Sequence, residues 1–392
     1  MASSSSSSRL TGWHGDVLIV GAGIAGSSLA YRLAQAGASV MLIDRQPPGQ
    51  EASGGFAGLL TTVADGHEGD AFAALSREAL QCLIATIPEL EARSGQTVGL
   101  MQTPLLRLAD DEASHALLKQ YALRADAASD EWLPPAALRT LCPAVNPRVT
   151  GAVLSAAAHH LNPRALLAAN LKAVPDLACD YSVAVVSLCI ERGRVIGVID
   201  ATGRRWHAGH VVLANGAWGA ELLAAHGIEL RCVPQRGQLV VLDGARLPPL
   251  NHIIQTGRGY IVPKPQGRIV VGATHENAGF EKATTLGGQL HLSRVAGLIG
   301  GLMALPIAET FVGLRPMSAD GMPLLGGIGG LEQLTLALGY GQHGVLLSQL
   351  CAEMCARHIL GQTPHPLWPA FQAQRAVAAS APQSLATATS AP

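Results

Sequence analysis

Charge is scarce in this chain. Charged residues make up 14 % of 392, and 27 Lys and Arg against 28 Asp and Glu leave a formal net charge of −1. Neither sign builds a field that would draw nucleic acid or an anionic membrane, so no DNA partner is expected. No apolar run reaches the roughly 18 residues that a spanning helix requires, and no membrane span is expected. The opening stretch, Met1 to Arg9, is a serine run without an apolar h-region and does not read as a secretory signal. Residues 1–14 are expected to be a disordered tail, and the Ala/Ser/Pro-rich residues 373–392 a flexible one. The seven cysteines are odd in number and scattered, which excludes a disulfide framework and points to reduced thiols in a cytoplasmic protein. Cys351 and Cys355 lie four apart and His207 and His210 three apart. Neither pair has a third and fourth ligand nearby, so no metal is expected. No internal repeat is visible.

What is present is apolar material, 48 % of the chain, and 44 glycines. At this length two domains are the natural expectation. Asp16 to Val20 reads as a buried parallel strand. Gly21-x-Gly23-x-x-Gly26 follows at once. Ser27 to Ala36 has helical spacing and stops at Gly37, and Ser39 to Ile43 is a second strand ending at Asp44. This is a βαβ unit with a dinucleotide fingerprint. Gly21 permits the tight turn, Gly23 lets backbone approach a pyrophosphate, and Gly26 lets helix and strand pack closely. The helix N-terminus offers free N–H groups to the phosphates, and Asp44 is placed to bind ribose hydroxyls.

Residues 70–142 read as mainly helical, with helices over Ala71–Arg93 and 113–128 and a short one after Pro134 and Pro135. Asn162-Pro163 opens a helix to about Ala173. Strands are expected over Tyr181–Ser187, Val195–Asp200 and His210–Ala214. From Arg231 to Ala273 the chain is strand-rich, with strands over Gln238–Leu242, His252–Gln255, Gly259–Val262 and Arg268–Val271. A helix follows over Gly288–Met303, then a strand over Gln333–Ala337 and a helix over Gly344–Leu360. Nucleotide-binding elements thus recur near residues 20, 212 and 340. The expected fold class is α/β: a Rossmann-type domain interleaved with an α+β domain built on a mainly antiparallel sheet. The expected division is 15–85, 145–225 and 316–372 for the first, and 86–144 and 226–315 for the second.

Three further segments resemble the D-amino-acid oxidase superfamily of FAD-dependent oxidoreductases. Ala52-Ser53-Gly54-Gly55 with Ala57-Gly58-Leu59-Leu60 resembles its second flavin-contacting loop. Val211 to Trp218 resembles its VVxAxGAWS strand and turn, with Asn215 and Gly219 departing. Gly313-Leu314-Arg315-Pro316 with Asp320 to Gly326 resembles its GLRP…DGxPxxG signature. Within the superfamily the likeness is closest to glycine oxidases of the thiamine pathway. Asn146 to Gly151, Asn162 to Leu167, Gly259 to Lys264, Gly267 to Thr274 and Asn277 to Phe280 carry it. The resemblance covers about residues 16–372.

The resemblance implies non-covalent FAD, since no cysteine stands where covalent attachment can be assigned. It implies cofactor contacts from Gly21, Gly23, Ile24, Ala25 and Gly26, from Asp44 and Arg45, and from Ala52 and Ser53. Ala57, Gly58 and Leu59, then Val185 beside the adenine and Gly216, complete that half. Tyr340, Gly341, Gln342, His343, Gly344, Val345 and Leu346 are expected to approach the flavin ring. A Gly-rich turn leading into a helix there has its own physical reason, because a helix N-terminus stabilises negative charge on the reduced ring. Arg315 corresponds to the arginine that binds the substrate carboxylate, and Tyr260 to a tyrosine lining the substrate site. Gln342 stands where the family usually has a second basic residue, which shifts carboxylate binding towards Arg315, or Arg258 if it turns inward. His275 stands where an apolar residue is usual. It is expected to line the pocket, hydrogen-bonding a polar side group or helping to deprotonate the substrate ammonium.

The implied reaction is oxidation of the Cα–N bond of a small amino acid or N-substituted glycine. A hydride passes to flavin N5, and O2 or another acceptor reoxidises the cofactor, O2 giving hydrogen peroxide. Three other readings use the same motifs. They are a flavin enzyme acting on a wobble uridine of tRNA, a dehydrogenase passing electrons to a quinone or partner, and a flavin-binding subunit without turnover. A homo-oligomer is compatible with all of them.

Overall fold

The computed structural model describes residues 15–62, 70–123 and 130–378. The expected tail at 1–14 and the end from 379 lie outside those residues. β1 (Gly15–Val20), α1 (Ile24–Gln35) and β2 (Val40–Ile43) form the parallel unit read from the sequence. Val17 and Ile19 of β1 join the core beneath α1, while Leu18 and Val20 join the core on the opposite face. Burial on both faces is why the strand reads as an unbroken apolar run.

β3 (Leu59–Leu60) and α2 (Asp70–Ser94) come next, then β4 (Met101–Leu108), α3 (Glu112–Ala122), β5 (Asp130–Leu133), α4 (Pro135–Leu141) and β6 (Ala152–His160). Residues 70–142 are therefore less helical than expected, since β4 and β5 interrupt them. Pro104 lies where the register of β4 on β6 shifts. A residue without an N–H is tolerated at such an irregularity, and it hides the strand from a pattern reading. α3 starts where Asp111 Oδ1 accepts from the Ser114 N–H at 2.8 Å, and its expected continuation falls on residues 124–129, outside those described.

α5 (Pro163–Lys172) starts where Asn162 Oδ1 accepts from the Arg164 N–H at 3.1 Å, with Pro163 in the first turn. β7 (Ala178–Asp180), β8 (Val185–Glu191), β9 (Arg194–Asp200), β10 (Arg205–Leu213) and α6 (Gly219–Ala224) follow. Of the strand expected over Tyr181–Ser187 only the end, from Val185, lies in a strand, β8; β7 stops at Asp180 and a bend follows it. The chain continues through β11 (Cys232–Asp243), β12 (Ile253–Thr256), β13 (Gly259–Pro263), β14 (Arg268–Gly272) and α7 (Leu286–Ala296). α7 stops short of the expected Met303. β15 (Ile307–Ser318), β16 (Leu324–Ile328), β17 (Leu331–Leu338) and α8 (Gly344–Ile359) complete the order. The residues after 372 begin with a 3-10 turn in which Ala373 is fully buried, and Val377 bridges to Leu230, so 373–378 are packed rather than a loose tail.

The first sheet runs β7-β2-β1-β10-β17-β16, parallel as far as β17. β8 and β9 extend it as an antiparallel meander from β10. α1, α2 and α8 pack together on one face. The second sheet runs β15-β11-β14-β13-β12-β4-β6-β3, with β5 beside β6. It is antiparallel except for β12 against β4. One face packs on α7 and α4. The other carries Leu239, Tyr260 and Phe311 towards the C-terminal ends of β1 and β10. The chain crosses between the sheets several times, with β3 and β6 in the second and β16 and β17 in the first. Among the described residues no helix is long and apolar enough to cross a membrane, and no cluster of metal-ligating side chains occurs.

Candidate functional site

A cavity of about 570 Å³ lies between the sheets and takes its lining from both. The first sheet contributes the β1–α1 turn. Gly21 has φ +110°, and a Cβ there would strike the Ala214 carbonyl. A Cβ on Gly26 would overlap the Gly21 oxygen, so this glycine serves helix–strand packing and does not line the cavity. No side chain caps α1 at Gly23. Its first N–H, on Ile24, is taken at 2.9 Å by Ser53 Oγ, which ties the Ala52-Ser53-Gly54 turn to the glycine motif. Ala25 opens on the cavity.

Asp44 ends β2 at the wall. Its Oδ2 accepts from the Ala22 N–H at 2.7 Å, and its Oδ1 from the Gln46 N–H at 3.1 Å. Burial pushes this carboxyl above its ordinary value against those bonds. Arg45 lies over the Trp218 ring, 3.9 Å from its centroid, and Phe280 flanks the same ring at 5.2 Å. Glu51 takes hydrogen bonds from Arg45 and Gln46, and Lys282 reaches its other oxygen at 3.0 Å. Phe280 and Lys282 thus buttress this wall from a loop of the second sheet. Val185 and Gly216 line the cavity, as does Asn215, whose buried Oδ1 has no partner among the described residues.

The loop at Ala57 and Gly58 also lines the cavity, and Lys264 at the end of β13 holds it. Lys264 Nζ donates to the Ala57 carbonyl at 2.5 Å and the Leu161 carbonyl at 2.9 Å, and lies 3.0 Å from His160 Nδ1. Burial brings its pKa down to about 7. Burial, then the Lys264 charge, brings His160 down to about 4. Leu59 turns away into the core of the second sheet.

At α8 no side chain caps the helix, and Tyr340, Gly341, Gln342, Gly344 and Val345 line the cavity. Leu346 is buried in the core instead, and the His343 ring lies 5.0 Å from Phe72. Cys351 and Cys355 are buried on α8, and no cysteine is among the cavity-lining residues.

The second sheet supplies Tyr260 and Arg315. In β15 the alternate residues Phe311, Gly313 and Arg315 face the cavity, opposite Leu239, Gly237 and Gln235 of β11. Arg315 Nη1 donates to the Thr274 carbonyl at 3.0 Å. Among the described residues no carboxylate pairs with it. The Tyr260 phenol lies against Gly272, where a Cβ would be 2.6 Å from the ring. Burial raises its pKa against the nearby Arg315 charge. Gln342 is exposed at the mouth.

His275 does not line the cavity, contrary to expectation. Its Nδ1 is tied at 3.0 Å to Gln235 Oε1, which draws the ring to the exposed edge of β11, while Ala273 faces inward. Its pKa falls to about 4, from desolvation first and then the charges of Arg315 and His291. Arg258 does not turn in either: it pairs with Asp110 and Asp111 at the surface. His210, free of any metal cluster, bonds Gln333 and Thr335.

Two helix N-termini whose own N-cap residues make no side-chain cap, with only the Ile24 N–H of α1 taken by Ser53, and a glycine cradle that a Cβ would fill suit a dinucleotide whose phosphates and ring need N–H donors. The sequence reading missed Ser53 as a brace, Lys264 as a clamp, and the Trp218–Phe280 buttress. The only signal for the last was the aromatic in Asn277-Ala278-Gly279-Phe280. Gly237 and Gly272, which make room for Arg315 and Tyr260, were legible only once the strands were paired.

Comparison with known proteins agrees with this geometry. Residues 16–358 match the family described as DAO, FAD dependent oxidoreductase. The glycine oxidase of Bacillus licheniformis is 29 % identical over 365 residues, covering 92 % of this chain and 97 % of the relative. That of Pseudomonas aeruginosa is 30 % identical, covering 89 % and 95 %. The crystal structure of glycine oxidase from Geobacillus kaustophilus superposes with a TM-score of 0.84 at 27 % identity, over 92 % of this chain and 99 % of that one. Iminodiacetate oxidase from Chelativorans sp. BNC1 gives 0.81 at 27 %, over 91 % and 98 %. The chain belongs to the DAO family of FAD-dependent oxidoreductases.

Proposed function

We propose that this enzyme oxidises the Cα–N bond of glycine, another small amino acid or an N-substituted glycine, with O2 as acceptor and hydrogen peroxide as product. The carrying observation is Arg315: a half-buried guanidinium, unpaired by any carboxylate among the described residues, in the cavity that holds the glycine cradle. FAD would be held by the β1–α1 turn, Asp44, the Ala52-Ser53 turn and the N-terminus of α8, and would supply the two-electron oxidation.

Arg315 takes the substrate carboxylate through two parallel N–H···O bonds, which fix orientation as well as charge. The hydrophobic wall of Leu239, Phe311 and Ala273 excludes water around the pair and strengthens it. The Tyr260 hydroxyl faces the same space and remains protonated at neutral pH, so it donates a hydrogen bond to the bound molecule rather than removing a proton. Gln342 offers a neutral amide at the mouth. Among the described residues no imidazole or lysine lines the cavity.

The test is anaerobic flavin bleaching with glycine, sarcosine, D-amino acids and N-alkyl glycines, followed by mixing with O2. Bleaching by at least one of them and fast reoxidation are expected. Bleaching with slow reoxidation would turn the reading towards a dehydrogenase. No bleaching by any small amino acid would overturn it.

A further inference from the structure

Behind Arg315 lies a hydrogen-bonded cluster that does not line the cavity. The Thr274 carbonyl receives Arg315 Nη1. The Thr274 hydroxyl donates to Glu276 Oε1 at 2.5 Å and accepts from the Gln238 backbone N–H at 2.9 Å. Gln238 Nε2 donates to the same Oε1 at 2.7 Å. Glu276 Oε2 takes Arg236 Nη2 at 2.6 Å and Nε at 3.2 Å. The backbones of Arg236 and Glu276 exchange both hydrogen bonds, at 2.9 and 3.0 Å. Gln238, Thr274 and Arg236 are 1, 4 and 6 % exposed. Burial alone would raise the Glu276 carboxyl, but the bonds from Thr274, Arg236 and Gln238 outweigh it and hold it below its ordinary value.

Glu276, with Glu281 3.8 Å from Nη1, neutralises Arg236 and reaches Arg315 through Thr274. We propose that Glu276 is a positioning residue for substrate binding: it locks Thr274, whose carbonyl sets the plane in which Arg315 presents its guanidinium. This rests on the reading that Arg315 grips a carboxylate. One bond on Nη1 leaves the rest of the planar fork for two parallel bonds to a ligand, and a fork tilted out of plane makes only one of them. The charge of Arg315 stays available because the cluster's carboxylate is committed elsewhere.

The experiment is a double-mutant cycle on the FAD-loaded enzyme, with glycolate as the probe. Glycolate carries the same carboxylate with a hydroxyl in place of the amine, and its binding is followed by the flavin absorbance. Glu276→Gln keeps the shape but sets an amide against Arg236. In the wild-type background it is expected to weaken glycolate binding about tenfold; in the Arg315→Lys background, where no planar fork remains to be aimed, less than about twofold. FAD content should be unchanged in all four proteins. Thr274→Val, which removes the hydroxyl link alone, should reproduce the same pattern and stands in if Glu276→Gln fails to fold. Equal losses in both backgrounds, or losses that follow FAD release, would overturn the positioning role and leave the carboxylate reading intact. Absence of glycolate binding to the wild type would overturn both.

Discussion

The Arg315 guanidinium lies flat over Gly237 on the neighbouring strand, where a Cβ would be 2.5 Å from both terminal nitrogens. A methyl group at that point has nowhere to go except into the fork. Gly237→Ala is therefore expected to raise KM for the amino acid about tenfold or more, by tilting the guanidinium out of line, while FAD content stays constant. Unchanged KM would show that the fork is not held against the sheet.

Removing the charge itself should cost more. Arg315→Ala is expected to lower kcat/KM by about 30-fold or more, the equivalent of about 2 kcal/mol for a charged contact. An amine without a carboxylate should be affected far less. Comparing the two substrates in steady-state assays separates a lost carboxylate contact from general damage.

The wall formed by Arg45, Trp218 and Phe280 is a separate matter, since it lies beside Asp44 and the glycine turn proposed to hold FAD. Phe280→Ala removes one face of the Trp218 stack. It is expected to loosen FAD by about two- to tenfold, in line with an aromatic pair of about 0.5–1.5 kcal/mol. Fluorescence of released flavin reads this directly, without any turnover.

Lys264 makes the fold sensitive to pH. The unfolded chain keeps this proton up to the ordinary value of 10.5, the folded chain only to about 7. The unfolded state thus binds more protons between those limits, and stability rises as pH climbs through that window. His160 acts in the same direction lower down, between about 4 and 6.5. Thermal melts from pH 4 to 10 should show increasing Tm in both windows from these groups. The slope above pH 7 should flatten in Lys264→Met. An equal slope in that variant would place the effect elsewhere.

The parts of the site that sequence could reveal are those fixed by local chemistry. Gly21, Gly23 and Gly26 announce themselves because a strand, a turn and a helix follow in order, and Asp44 because it ends the next strand. Arg315 came through a motif. What stayed hidden depends on distant partners. β4 is masked by Pro104, whose cost disappears only against the irregular pairing with β6. Tyr181 to Ser187 read as one strand from the apolar run within it, yet the apolarity of Val183 to Val186 serves the cavity wall. His275 was expected in the pocket from its place after Gly272-Ala273-Thr274, but Gln235, forty residues away, decides where its ring goes.

Anaerobic reduction by glycine or the best small amino acid, measured by stopped flow in the wild type and in Arg315→Ala, bears most directly on the account. The wild type should show a flavin-reduction rate that saturates with substrate. The variant, still yellow with FAD, should need far higher concentrations to reach the same rate. Equal concentration dependence in the two proteins would contradict a carboxylate held by Arg315.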